Sequence, residues 1–71
     1  MIAERLIGLR KERGLTQRVV AAGANVTERQ YQFYEHGQRK PGYDMLIALA
    51  DFFGCSIDFL VGRTDNPEVN R

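Results

Sequence analysis

Between Thr16 and Gly37 the chain reads TQRVVAAGANVTERQYQFYEHG, and the second half of that stretch carries side chains suited to reading nucleobases. Wound at roughly 100° per residue, Glu28, Arg29, Gln32 and Phe33 fall on one side of a short helix. Gln30, Tyr31 and Tyr34 fall on the other, where a small core would take them. Arginine can fork onto guanine, glutamine onto adenine, and glutamate can accept from cytosine, while an apolar ring can meet a thymine methyl. The same row also fits an ordinary solvated face opposite a core stripe. This helix alone does not separate the two readings.

The elements that would position the row are two short helices joined by a tight turn. The first is expected from Gln17 to about Gly23 with Thr16 as N-cap, and the second from about Glu28 to His36, stopped by Gly37. Thr27 followed three residues later by Gln30 fits a capping box. Ala24-Asn25-Val26 forms the turn, and Asn25 suits a reversal because asparagine tolerates a positive φ. Gly23 and Ala24 are poor packing residues, so the first helix is expected to fray at its end. The basic loop GQRKPG, residues 37–42, follows directly, and Arg39 and Lys40 favour phosphate contact over a turn merely kept soluble by charge.

Around this pair the chain offers three more helices and no strand signal. Ile2 to Arg13 is amphipathic, with Ile2, Leu6 and Leu9 at helical spacing, and Leu15 is expected beneath the next helix. Tyr43 to Phe53 carries the apolar stripe Leu46, Leu49, Ala50 and Phe53 and ends at Gly54. Ser56 caps a short helix from Ile57 to Val61, in which Ile57 and Leu60 point inward and Phe59 stays half exposed. Residues 63–71 have no apolar period and read as a loose tail.

Seventy-one residues allow one domain. The net charge of +1 hides an asymmetry: residues 1–40 hold eight Lys/Arg and four acids, residues 41–71 two and five. A basic front and an acidic back suit one surface meeting an anionic partner. One cysteine, Cys55, excludes an internal disulfide and reads as a small buried residue rather than a reactive thiol. One histidine, His36, leaves no metal site, and no cofactor is implied. Glu4 and Arg5 stand where a secretion signal would be apolar, and no apolar run reaches membrane-spanning length, so a cytoplasmic protein is expected.

Three pieces of the chain, GLTQ at 14–17, NVTERQYQFYEHGQRKP at 25–41 and LIALADFFGCSIDFLVGRTD at 46–65, closely resemble the helix-turn-helix domains of phage Cro and C1 repressors. The likeness is strongest to the small bacterial regulators of that superfamily. It covers about residues 4–65. It implies an all-α, five-helix, lambda-repressor-like domain over residues 4–62, with the helix-turn-helix at helices 2 and 3, and a tail over 63–71. Carried over by position, Glu28, Arg29, Gln32 and Phe33 become base-facing residues of a helix lying in the major groove. Gln17, Thr27, Arg39, Lys40 and Arg10 become phosphate contacts, and Arg10 with Glu35 also forms a buried ion pair in some relatives. Departures from the pattern are Ala24 and Asn25 in the turn, Phe33 where polar residues are commoner, and Gly42 where a serine usually caps the fourth helix.

The expected function is a sequence-specific regulator of transcription that binds double-stranded DNA, associated with the nucleoid when bound. Repression is the expected sense, because occluding a promoter requires only occupancy and these residues leave no room for an effector-sensing domain. One recognition helix reads few base pairs, so a homodimer on a palindromic operator is expected, with Phe52, Phe59 and Val61 on the acidic back as candidate contacts. No membrane partner and no small-molecule ligand are implied. A protein-interaction module that kept the fold is the alternative. An enzyme is disfavoured, since no nucleophile arrangement, phosphate loop or carboxylate pair is evident.

Overall fold

The computed structural model describes residues 2–68. Five helices follow one another: α1 Ile2–Glu12, α2 Gln17–Gly23, α3 Glu28–Glu35, α4 Tyr43–Phe53 and α5 Ile57–Leu60. No strand occurs among the described residues, and the all-α expectation holds. Helices α1, α3 and α5 each end one residue short of their expected limits, and α2 and α4 match theirs.

Local chemistry fixes the starts. The hydroxyls of Thr16, Thr27 and Ser56 accept from the amides of Val19, Gln30 and Phe59 at 3.1, 3.1 and 3.0 Å, each satisfying an amide that the first turn leaves without a partner. Gly42 precedes α4 without any side-chain cap. Between α2 and α3, Asn25 adopts a φ of 59°, the left-handed conformation a reversal this tight requires.

The core is one cluster. Tyr31, Phe53, Leu6, Leu49, Leu60 and Val20 are its largest fully buried side chains. Helix α3 packs against α1 and α2, α2 also touches α4, and α5 closes against α1 and α4. Ile2, Leu15, Leu46, Ile57 and Phe59 line the cluster half-buried. Cys55 is buried, and burial pushes its thiol pKa up, away from the reactive thiolate.

Two expectations need correction. Gly23 is the site of a close approach: a Cβ built there would fall inside the ring edge of Phe52, which itself packs edge-on against Phe53 at 5.1 Å. Neighbouring Ala24 is buried, and its amide still bonds the Val20 carbonyl at 2.9 Å. The small residues therefore let α4 come close, and the end of α2 is packed. The second correction concerns the tail. The Pro67 carbonyl accepts from the Ser56 amide at 3.0 Å, and Asp65 meets Arg5 at 3.3 Å on the surface, so residues 63–68 fold back onto the start of α5. Residues 69–71 of that expected tail lie outside the described residues.

Candidate nucleic-acid interface

Helix α3 has one face inside and one outside. Tyr31 is fully buried, and Tyr34 and Glu35 nearly so, at 6% and 4% exposure. Glu28 and Arg29 are exposed, and Gln32 and Phe33 are half-buried. The four residues expected to face bases thus share the outer side of one helix, as the periodicity predicts. Nothing in the sequence of an eight-residue helix would hold it alone, since helices this short are marginal in water. Its position comes from what lies beneath it.

Beneath it lies a polar knot. Arg10 donates from Nε to Glu35 Oε2 at 2.7 Å and from Nη2 to Oε1 at 3.1 Å, a forked pair in the strong geometry for arginine and carboxylate. The remaining guanidinium nitrogen of Arg10 donates to the Leu15 carbonyl at 3.1 Å. The Arg10 side chain is 16% exposed and that of Glu35 2%. The expected ion pair is present, tying α1 to α3. It also places Arg10 inside the domain, with each guanidinium nitrogen engaged, rather than among outward cations. For the phosphate contact also expected of Arg10, only the guanidinium hydrogens that these three bonds leave over remain.

Gln17 joins the same knot, a role the sequence reading missed. Its side-chain amide donates to Glu35 Oε1 at 3.0 Å, so α1, α2 and α3 all converge on one carboxylate. Burial pushes the Glu35 pKa up, but the bonds from Arg10 and Gln17, with the Tyr31 hydroxyl nearby, outweigh burial and hold it below the usual carboxylate range. Burial, and then Glu35, push the Tyr31 phenol well above its ordinary value. Its hydroxyl lies close enough to feel that charge, yet no partner stands in hydrogen-bond geometry to it.

The capping box at the start of α3 is half made. Thr27 caps Gln30, but the Gln30 side chain turns inward and donates to the Tyr34 hydroxyl at 3.3 Å. Thr27 is exposed, and its hydroxyl, an acceptor in the cap, keeps its own hydrogen to donate. Arg39 and Lys40 are exposed in the loop after α3, and Pro41 beside them is buried. Tyr43, 72% exposed at the start of α4, lies next to this loop, and nothing in the sequence set it apart from a half-buried helix residue.

Phe33 does not lie free on the surface. The guanidinium of Arg29 sits 5.7 Å from its ring centre and that of Arg39 5.3 Å, within reach of cation–π attraction. Arg29 precedes Phe33 by one helical turn, a spacing at which side chains meet, so half of this arrangement was open to sequence reasoning.

Comparison with known proteins gives one consistent picture. A family model described as "Helix-turn-helix" matches residues 6–60. The chain is 35% identical over 68 residues to the uncharacterized HTH-type transcriptional regulator YobD of Bacillus subtilis (strain 168), covering 96% of this chain and 61% of that protein. It is 35% identical over 65 residues to the cryptic phage CTXphi transcriptional repressor RstR of Vibrio cholerae, covering 92% of this chain and 59% of the repressor. The chain therefore spans about 60% of the length of these relatives. Among solved structures it is similar to a transcriptional regulator from Listeria innocua, at TM-score 0.81 and 44% identity over 87% of this chain and 58% of the other. It is also similar to the P22 c2 repressor solved in complex with synthetic operator 9T, at TM-score 0.81 and 25% identity over 84% of this chain and 91% of the other.

Proposed function

The chain belongs to the helix-turn-helix family, and on that premise we propose that it is a sequence-specific DNA-binding regulator of transcription, acting as a repressor on a palindromic operator. The observation that carries this reading is the division of α3. Its inner side is anchored through Tyr31, Tyr34 and Glu35, and its outer side offers Glu28, Arg29, Gln32 and Phe33 together. In the proposed complex α3 lies in the major groove. Arg29 forks onto a guanine edge, Gln32 faces adenine, and Glu28 accepts from cytosine. The similarity to a repressor solved with its operator supports this reading.

Phosphates are held around that helix. Thr27 donates its free hydroxyl hydrogen. Gln17 uses the amide hydrogen that its bond to Glu35 leaves over, close to the amide-rich start of α2. Arg39 and Lys40 grip the backbone from the loop, and the Tyr43 phenol lies within the same band.

A homodimer supplies the second half-site. Of the three expected contacts, Phe52 packs on Gly23 and Phe59 lies under the Arg5 guanidinium at 4.1 Å, so both are engaged within the chain. Val61 lines a shallow apolar concavity of about 320 Å³ with Ile2, Lys40, Pro41 and Leu46. A partner seated beside the basic loop keeps both recognition helices on one side of the duplex. Action in the cytoplasm, on the nucleoid, follows from the same reading.

The test is selection of bound fragments from random duplex DNA at moderate salt. Recovery of a two-fold sequence with half-sites one helical turn apart is expected. Binding with no preferred sequence, lost as salt rises, refutes the reading and favours a protein-interaction module.

A further inference from the structure

We infer that Phe33 is a positioning residue that makes the base-reading Arg29 and the phosphate-gripping Arg39 one unit, an inference that rests on the DNA-binding reading above. Both guanidiniums gather on this one ring, Arg29 from the preceding turn of α3 and Arg39 from the loop beyond it. The Phe33 backbone joins in. Its carbonyl accepts from the amides of Gln38 at 2.9 Å and Arg39 at 3.3 Å, which fixes where the basic loop leaves the helix. One residue thus sets the loop's departure with its main chain and steadies two cations with its side chain.

The choice of an aromatic partner matters chemically. Arg10, held by a carboxylate and a carbonyl, has each of its guanidinium nitrogens engaged. Arg29 and Arg39 have no carboxylate within salt-bridge distance among the described residues; the ion pairs there are Arg10–Glu35 and Arg5–Asp65. A ring attracts a guanidinium without taking up its N–H donors. The forks of both arginines therefore remain available to guanine and phosphate oxygens, while the ring narrows the rotamers each must lose on binding. Two cations on one ring also repel each other, and an anionic ligand relieves that repulsion. Phe33 is thereby distinguished from a residue that reads a thymine methyl by itself.

The test uses the sequence recovered by random-DNA selection and measures affinity at low and moderate salt. Phe33→Leu keeps an apolar side chain but removes the π face, and is expected to lower operator affinity about tenfold. Its melting temperature should fall by no more than a few degrees, because Phe33 is only half-buried. Phe33→Tyr restores the π face and should restore affinity to within about twofold. In an Arg29→Ala/Arg39→Ala background, measured at low salt, Phe33→Leu should have no further effect. A tenfold loss that persists in that background, and disappears when thymine in the site is replaced by uracil, overturns the inference in favour of direct methyl reading. A loss tracking the melting temperature, unrepaired by Phe33→Tyr, overturns it in favour of a packing role. Failure to recover any preferred sequence removes the DNA-binding reading and this inference with it, whereas a recovered operator with the wrong Phe33 pattern removes this inference alone.

Discussion

Replacing Glu35 with alanine tests the packing of the whole helix-turn-helix, because three helices meet on that carboxylate. The variant strips the Arg10 guanidinium, whose side chain is only 16% exposed in the intact domain, of two bonds, at 2.7 and 3.1 Å. It also strips the Gln17 amide of its acceptor. Removing one partner of a buried pair costs about 3–5 kcal/mol, since the remaining charge stays desolvated. A domain of this size shifts its melting temperature by about 4–8 °C per kcal/mol, so a fall of at least about 12 °C is expected by circular dichroism. A fall of only one or two degrees would show that the pair is ornamental and that α3 is held by its tyrosines alone. Acid supplies a second arm. The folded Glu35 pKa lies below its ordinary value, so its stabilisation is complete above the unfolded pKa of about 4.3 and is lost as pH falls through the lower, folded value. Melts of the unmodified chain should weaken across that acid window, and Glu35→Gln should remove that part of the slope. Replacing both partners with apolar residues of similar size, Arg10→Met with Glu35→Leu, is expected to restore most of the stability that Glu35→Ala loses.

Three further outcomes follow from the same contacts. Tyr31→Phe should leave the melting temperature unchanged or raise it, because the buried hydroxyl has no partner in hydrogen-bond geometry; a drop of several degrees would reveal a working bond to Glu35. Gly23→Ala should lower stability by about 1–2 kcal/mol despite alanine's better helix propensity, since the added methyl meets the Phe52 ring. Chemical denaturation would count against this packing if the alanine variant proved the more stable, or if Phe52→Leu failed to repair it. On DNA, Arg29→Ala should cost about 1–3 kcal/mol and relax discrimination at one base, whereas Lys40→Ala should weaken all sequences alike and flatten the salt slope; equal losses on operator and random duplex for both variants would undo the assignment of roles.

The sequence was legible where local chemistry decides. Thr16, Thr27 and Ser56 mark helix starts through a hydroxyl three residues before the amide it caps, and each structure-defined start agrees. Asn25 stands out at the reversal for a backbone reason that needs no tertiary knowledge. Periodicity also split α3 correctly into inner and outer faces. What stayed hidden depends on which elements touch. Gly23 looks like a defect until Phe52, twenty-nine residues on, is seen to fill its space. Gln30 satisfies the capping-box spacing, yet a nearby phenol draws it away from the box. Gln17 and Glu35 lie eighteen residues apart, and no pattern in either helix points to the bond. Residues 63–68 are held by main-chain bonds at Arg63 and Pro67 and by a surface pair at Asp65, none of which leaves a trace in hydropathy.

On the proposed reading, the division of labour within α3 is what lets so short a helix discriminate. An eight-residue helix contributes little order of its own, so the precision with which Arg29 and Gln32 are presented must be imposed from below. An apolar contact alone would permit small rotations about the helix axis, because hydrophobic packing is not directional. The forked bonds from Arg10 and the bond from Gln17 fix that rotation, since their geometry degrades within a few tenths of an ångström. Buried pairs of this kind are weak arguments for stability and better arguments for a unique arrangement. The distinction can be measured. If the pair serves arrangement, the Arg10→Met/Glu35→Leu variant should melt close to the unmodified chain yet lose discrimination between operator and random duplex. Undiminished discrimination in that stable variant would mean that Tyr31 and Tyr34 alone set the angle at which the helix meets its ligand.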